Sequence, residues 1–259
     1  MDGVAVVIVN FRTKELTADA VRSVVDDPLV TEVVVVDNGS GDGSADHLRA
    51  ALPGVRVVES ATNLGFGRGV NLGVEATSAP FLFLLNSDAA ARPGAVAALR
   101  RRLDDPTVGV VAPAVYRADG RTLQADAHGR LPAPRATLRT TGGGPADVEP
   151  GWVSGVAMML RRQDFVSLGG FDPDFTMYLE DVDLCRRLRA AGLRVVREPS
   201  ASVVHLGGRS AAASVDRVDQ YHRSKAVYLR KAGAGPLQLR AAAVVRVARV
   251  AVERLRRRS

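Results

Sequence analysis

Apolar residues follow two rhythms in the first 115 positions. Unbroken apolar runs at 4–9, 33–36 and 81–85, with less uniform ones at 55–58 and 108–112, alternate with stretches where apolar side chains recur every three or four residues. Unbroken runs predict strands covered on both faces, and the longer rhythm predicts helices. The first helix is expected over 14–25, with Leu16, Ala20, Val21, Val24 and Val25 as its apolar side. Ser44 is placed to cap a second helix running toward 52, the glycine-rich stretch 63–73 enters a third, and Pro93 starts a fourth that continues to 103. This β-α-β-α-β-α-β alternation predicts an α/β fold with a Rossmann-like, mostly parallel central sheet flanked by helices.

The pattern then changes. Between 129 and 150, Pro132, Pro134, Pro145 and Pro150 with Gly142-Gly143-Gly144 predict a flexible loop of the lid type. A strand is expected over 152–160, a turn over 168–172 and a helix over 180–191 closed by Gly192. Two short strands, 193–196 and 201–204, follow, the second ending at His205. A helix over 216–231 and a last one over 236–257 complete the chain. The organisation predicted is one domain over 1–235, with halves at 1–115 and 151–235, and a basic amphipathic helix over 236–259.

Composition adds three constraints. The 259 residues are 46% hydrophobic and 24% charged, an ordinary globular balance. Cys185 is the only cysteine, so no internal disulfide forms and a reducing compartment is expected. No basic leader precedes the first strand and no apolar run is long enough to span a membrane, which predicts a cytoplasmic location. The net charge of +7 points to a polyanionic partner: nucleic acid, anionic lipid or a phosphorylated substrate. From Arg240 to Arg258 there are seven arginines against one acid, Glu253. With the charge concentrated at one end and few aromatics beyond Trp152 for stacking, nucleic acid is the least favoured partner. Arg246, Arg249, Glu253 and Arg256 share one face of the last helix. That face suits either peripheral contact with the inner face of the membrane or a solvated side of a helix docked on the domain.

The polar tips of the predicted strands carry the candidate chemistry, because ligands of open α/β sheets bind beyond the carboxyl ends of strands. Asp37 can accept hydrogen bonds from a pyrimidine base or shape its own turn. Its loop has no Gly-Lys-Ser/Thr ending and is not a P-loop. The glycines at 65, 67, 69 and 73 miss the dinucleotide spacing, since the third glycine would fall on Val70 or Leu72. They suit either an anion at the helix N-terminus or close helix–sheet packing. Asn63, Arg68 and Asn71 in the same stretch are polar enough to reach a ligand. Asp88, after Asn86 and Ser87, can hold Mg2+ or Mn2+ against phosphate oxygens, and His205 can be a second ligand. Glu180 and Asp181 open a helix, where the dipole favours acids and where one carboxylate can also take a proton from an acceptor hydroxyl. Residues 175–179 offer a partly apolar acceptor pocket before them. Asp183 is expected to pair with an arginine, and Cys185 to pack.

Read in order, these pieces resemble the family 2 inverting glycosyltransferases of the GT-A fold, rhamnosyltransferase-like branch. The matching segments are 7–11, 36–40, 63–67 with Asn71 and Gly73, 84–88, 154–155, 169–172, 180–184, and His205 with Gly207-Gly208. The resemblance covers about residues 4–231. It implies a nucleotide-sugar site that uses Asn10, Phe11 and Arg12 from the first strand end, and Asp37, Asn38 and Gly39 from the second. Asn63, Gly65, Phe66, Arg68 and Asn71 would join it, with Asn86, Ser87 and Asp88 at the centre. Asp37 would contact the base. Trp152, Ser154, Gly155 and Tyr178 would meet the acceptor, Asp181 would be the general base with Glu180 beside it, and Asp88 with His205 would hold the metal. Asn86 stands where the family's metal motif carries its first acid. The implied donor is a dTDP-sugar, rhamnose first, or a UDP-sugar. The implied acceptor is a glycan, a lipid-linked glycan or a small molecule. The alternatives are a non-catalytic nucleotide-sugar-binding protein and a nucleotidyltransferase.

Overall fold

Valine and leucine runs become the sheet. In the computed structural model, which describes residues 3–132, 141–142, 148–207 and 214–256, the first half gives β1 (Val4–Asn10), β2 (Val30–Asp37), β3 (Arg56–Glu59) and β4 (Phe81–Asn86). All pair parallel, in the order β3-β2-β1-β4. Both faces are covered, as the unbroken runs require: Val6, Ile8, Val35, Phe83 and Leu85 enter one core, and Val7, Val9, Val36, Leu82 and Leu84 the other. Helices α1 (Lys14–Arg22), α2 (Ser44–Ala51) and α3 (Phe66–Glu75) make the crossovers.

The sheet continues with β5 (Ala89–Ala91), α4 (Ala95–Arg102) and β6 (Val108–Tyr116). After a short 3-10 turn at Ala125–Ala127 come β7 (His128–Arg130), β8 (Thr141–Gly142), β9 (Trp152–Val153) and β10 (Ala157–Arg161). Then α5 (Arg162–Ser167), α6 (Glu180–Ala190), β11 (Arg194–His205), α7 (Ser214–Lys231) and α8 (Pro236–Arg256) complete the chain. The main sheet runs β3-β2-β1-β4-β10-β6-β11-β5, with β10 and β5 antiparallel to their neighbours, and β8-β7-β9 form a small separate sheet.

Several elements depart from their predicted form. The strand expected over 152–160 is two strands in two sheets, broken at Ser154–Val156 where the Gly155 N–H turns to Asp181. The strands expected at 193–196 and 201–204 are one, β11, whose register slips between Glu198 and Ser202. The first helix ends at Arg22, leaving Val25 exposed. Ser44 does not cap α2: Gly43, at φ 77°, holds that place, and the Ser44 N–H and hydroxyl both donate to Asp42. Pro93 precedes the helix that Gly94 caps. Gly129, Arg130, Thr141 and Gly142 of the expected loop are strand residues, while Pro134, Pro145, Gly143, Gly144 and Gly208 lie outside the described residues.

Asp183 is fully buried and paired with both Arg186 and Arg187, each at 2.7 Å. Arg187 also donates to the carbonyls of Leu168 and Gly170, so this cluster fixes the turn before α6. Cys185 is buried in the core, and burial pushes its thiol up to about 12.

Candidate active site

The carboxyl ends of β1, β2 and β4 stop level with one another, Asn10 facing Asp37 and Val9 facing Asn86. The small sheet, the start of α6 and the first turns of α7 close over them. The result is a cleft of about 480 Å3. A second hollow of about 400 Å3, at the opposite end of β4, is lined by Pro80, Phe81, Arg161, Arg162, Gln163 and Val166 and carries no carboxylate.

One end of the cleft is a prebuilt hydrogen-bond lattice. Asn10 donates to Asp37 Oδ1 at 2.6 Å and to Ser40 Oγ at 3.2 Å, and its own Oδ1 accepts from Thr13 and Thr17. Asp37 Oδ1 also accepts from the Ser40 hydroxyl at 2.5 Å, so this buried carboxylate is largely satisfied within the protein. Asn38 ties two loops together: Oδ1 accepts from Leu64 N, and Nδ2 donates to Asn63 Oδ1 and Gly65 O. Gly65 is obligatory by geometry. Its φ is 84°, and a Cβ there would lie 2.0 Å from the Thr176 carbonyl oxygen. Cβ atoms at Gly69 and Gly73 would meet Val9 at 3.0 Å and Val7 at 2.5 Å, so those glycines let α3 settle on the sheet.

At the centre, β5 pairs antiparallel with β11 so that His205 faces Ala89, the residue after Asp88. His205 Nε2 consequently stands 3.1 Å from Asp88 Oδ1, and its Nδ1 stands 2.9 Å from Gln124 Oε1. With Gln124 Oε1 accepting from Nδ1–H, a neutral ring turns the Nε2 lone pair toward the carboxylate. Two electron-rich atoms at this distance require a positive charge with them, either a proton or a cation that both ligate. Cis ligands of an octahedral cation, each about 2.1 Å from it, stand about 3 Å apart. The pair therefore fits Mn2+ or Mg2+. Among the described residues no cluster of three or more His, Cys, Asp or Glu is present to hold a metal, so this pair would leave the remaining positions to phosphate oxygens and water.

The acid pair also lines the cleft. Asp181 is partly buried; Oδ2 accepts from Gly155 N at 2.9 Å and Oδ1 from Val182 N at 2.8 Å. Glu180 is buried, and its Oε2 has no hydrogen-bond partner among the described residues. Burial first, and the charge of Asp181 second, push the Glu180 carboxyl up to about 8. Burial also raises Asp181, opposed by the two backbone N–H groups. The two backbone N–H groups favour the charge on Asp181, and burial without a partner for Oε2 favours the proton on Glu180. Tyr178 and Leu179, just before this helix, have φ of 69° and 67° without being glycine. The third such residue among those described is Arg12, at φ 57° beside Phe11. Strained backbone is thus concentrated around the cleft.

Comparison with known proteins agrees with this geometry. Residues 5–182 match the family model for Glycosyl transferase family 2. The chain belongs to that family. As a family 2 glycosyltransferase it is 31% identical, over 226 residues, to an N-acetylglucosaminyl-diphospho-decaprenol L-rhamnosyltransferase of Mycobacterium tuberculosis, covering 76% of this chain and 74% of the relative. Its fold matches a mannosyltransferase of Pyrobaculum calidifontis in complex with GDP-Man and Mn2+ (TM-score 0.64, 19% identity, 96% of this chain and 75% of that one). It also matches GalNAc-T7 with UDP, GalNAc and Mn2+ (TM-score 0.63, 14% identity, 84% of this chain and 48% of that one). The expected GT-A fold is borne out.

In this glycosyltransferase the cleft is lined by Phe11, Asn38, Asn63, Phe66, Asn86, Ser87 and Asp88, together with Trp152, Ser154, Gly155, Tyr178, Glu180, Asp181 and His205. Asn10, Arg12, Asp37, Gly39 and Gly65 lie behind this lining. Arg68 donates to the Pro173 carbonyl, and Asn71 brackets Phe171 through its N–H and carbonyl; neither lines the cleft. Sequence reading missed Gln124, Asp126, Arg217 and Tyr221. The last three line the cleft, as does Met177 of the expected acceptor pocket, with Arg217 and Tyr221 one helical turn apart on α7.

Proposed function

We propose that this glycosyltransferase moves a sugar, rhamnose from dTDP-rhamnose as the leading donor, onto a hydroxyl of a lipid-linked glycan with inversion at the anomeric carbon. The observation that carries the reading is that Asp181 and the Asp88–His205 pair line one cleft. The printed name of the rhamnosyltransferase relative supports the sugar and the lipid-diphosphate acceptor. In the step proposed, the acceptor oxygen forms its bond to the anomeric carbon as the bond to the diphosphate oxygen breaks. The bonding electrons leave with the nucleoside diphosphate, and the acceptor proton passes to Asp181. Gly155 N–H and Val182 N–H hold that carboxylate at the acceptor side, and protonated Glu180 adds no second negative charge. Mn2+ or Mg2+ bound at Asp88 and His205 would supply electrostatic stabilisation of the departing diphosphate. Asn38, Asn63 and Ser87 offer polar groups to the nucleotide sugar, with Asp37 as proposed base contact through its less occupied Oδ2. Trp152, whose buried indole N–H has no partner among the described residues, offers a donor to the acceptor.

The test is a transfer assay against dTDP- and UDP-sugars with a polyprenyl-diphosphate glycan acceptor, with and without Mn2+. Asp181→Asn is expected to keep donor binding and lose turnover by roughly a thousandfold. Turnover near the wild-type rate would remove Asp181 as the base, and no stabilisation by any nucleotide sugar would remove the donor reading.

A further inference from the structure

The last helix is mounted inside out. Arg246 points into the protein and pairs with Asp219 of α7 at 2.6 Å, where Asp219 also holds Arg223. On the opposite side of α8, Leu237 is 79% exposed, Val244 69%, Val247 69% and Leu255 65%. At 3.6 residues per turn these four fall on one side of the helix, with exposed Arg240 among them and exposed Arg254 at the edge. An apolar ridge turned to water and edged with arginine needs an occupant.

We infer that this face of α8 lies on an anionic lipid surface. The charge selects the occupant: Arg240 and Arg254 stand exposed on the side of the ridge, in a stretch to Arg258 that holds seven arginines, one of them paired with Asp219, against one acid. Two copies of so basic a helix would repel one another. Each arginine near an anionic bilayer strengthens binding by roughly fivefold, and the valines and leucines enter the headgroup boundary. No helix among the described residues is long and apolar enough to cross a membrane, so the contact is with the surface. The mounting also places the cleft. Asp219, the anchor of α8, is two positions from Arg217 and two from Tyr221, and both line the cleft. The helix that meets lipid is thus fastened to the cleft wall, which suits an acceptor whose lipid stays in the bilayer. This deepens the lipid-linked acceptor reading and rests on it only for that last point.

Vesicle co-sedimentation of the full chain, without donor or acceptor, tests the inference. Binding is expected to vesicles of equal parts phosphatidylglycerol and phosphatidylcholine, to weaken with salt, and to be absent with phosphatidylcholine alone. The double variant V244D/V247D is expected to bind at least roughly tenfold more weakly with an unchanged melting temperature, and R240E/R254E to lose binding likewise. Equal sedimentation of either folded variant, or none of the wild type, overturns the inference. So does a wild-type dimer in solution that V244D/V247D converts to monomer without any vesicle binding, since a second copy would then be the occupant. Vesicle binding by a chain that transfers no sugar would leave this surface standing and remove the proposed function instead.

Discussion

Glu180→Gln is expected to make the protein more stable at pH 8 than the wild type, and no more stable at pH 5. The Glu180 carboxyl rises from 4.5 in the unfolded chain to about 8 in the folded one. Below pH 4.5 both states hold the proton and the residue is neutral to stability. Above it the unfolded chain releases the proton while the folded chain retains it to about pH 8, so stability falls as pH rises through this window. At 1.36 kcal/mol per pH unit between 4.5 and about 8, the ceiling on that loss is on the order of 5 kcal/mol, of which roughly 4 is reached at pH 8. An amide removes the titration but leaves a buried NH2 to satisfy, a cost of about 1–2 kcal/mol at every pH. The net gain at pH 8 is about 2–3 kcal/mol, or roughly 5–8 °C in melting temperature for a domain of this size. Urea titrations of both proteins from pH 5 to 8.5 measure it. A stability difference that stays flat within about 0.5 kcal/mol across that range would refute the placement of a proton on a buried Glu180.

Gln124→Leu removes the acceptor for His205 Nδ1 and should weaken Mn2+ binding by roughly tenfold in titration calorimetry; unchanged affinity would show that Gln124 does not orient the ring. Asn86→Asp places a second carboxylate in the cleft with Asp88 and should raise Mn2+ affinity in the absence of donor by roughly tenfold, read by the same calorimetry; a fall would show that Asn86 faces no cation. Gly65→Ala forces a Cβ into the Thr176 carbonyl and should cost more than about 2 kcal/mol in urea unfolding; a variant within about 0.5 kcal/mol of the wild type would mean that the two loops are not held as described.

The first half of the fold was legible because its signals are local. Runs such as 81–85 can only be strands covered on both faces, and their polar tips mark the crevice. The other half depends on contacts distant in sequence. Three alanines at 89–91 have weak strand preference, yet they form β5 because β11 pairs with them, and that pairing brings His205 to Asp88. Gln124, 81 positions from His205, has no local pattern that marks it. The hydrogen bond from Asn10 to Asp37 Oδ1 spans 27 positions and leaves no local mark either. The left-handed pair Tyr178-Leu179 was invisible because neither residue is glycine. Even the last helix misled by its regularity: the periodic arginine face was legible, but not that Arg246 would turn inward to Asp219.

These hidden features share a physical cause. The first turn of α6 is unfavourable by itself: its N-cap, Leu179, is left-handed and makes no side-chain cap, and Glu180 is buried without a partner for Oε2. Left-handed backbone at two non-glycine residues alone costs about 1–2 kcal/mol each. The helix holds because its second turn is anchored. Asp183 grips Arg186 and Arg187, Arg187 fastens the Leu168 and Gly170 carbonyls, and Leu184, Cys185 and Leu188 fill the core. That anchor keeps Asp181 on the Gly155 N–H in the lining of the cleft. Asp183, which never reaches the cleft, is therefore the residue through which ordinary packing sustains the strained acid pair.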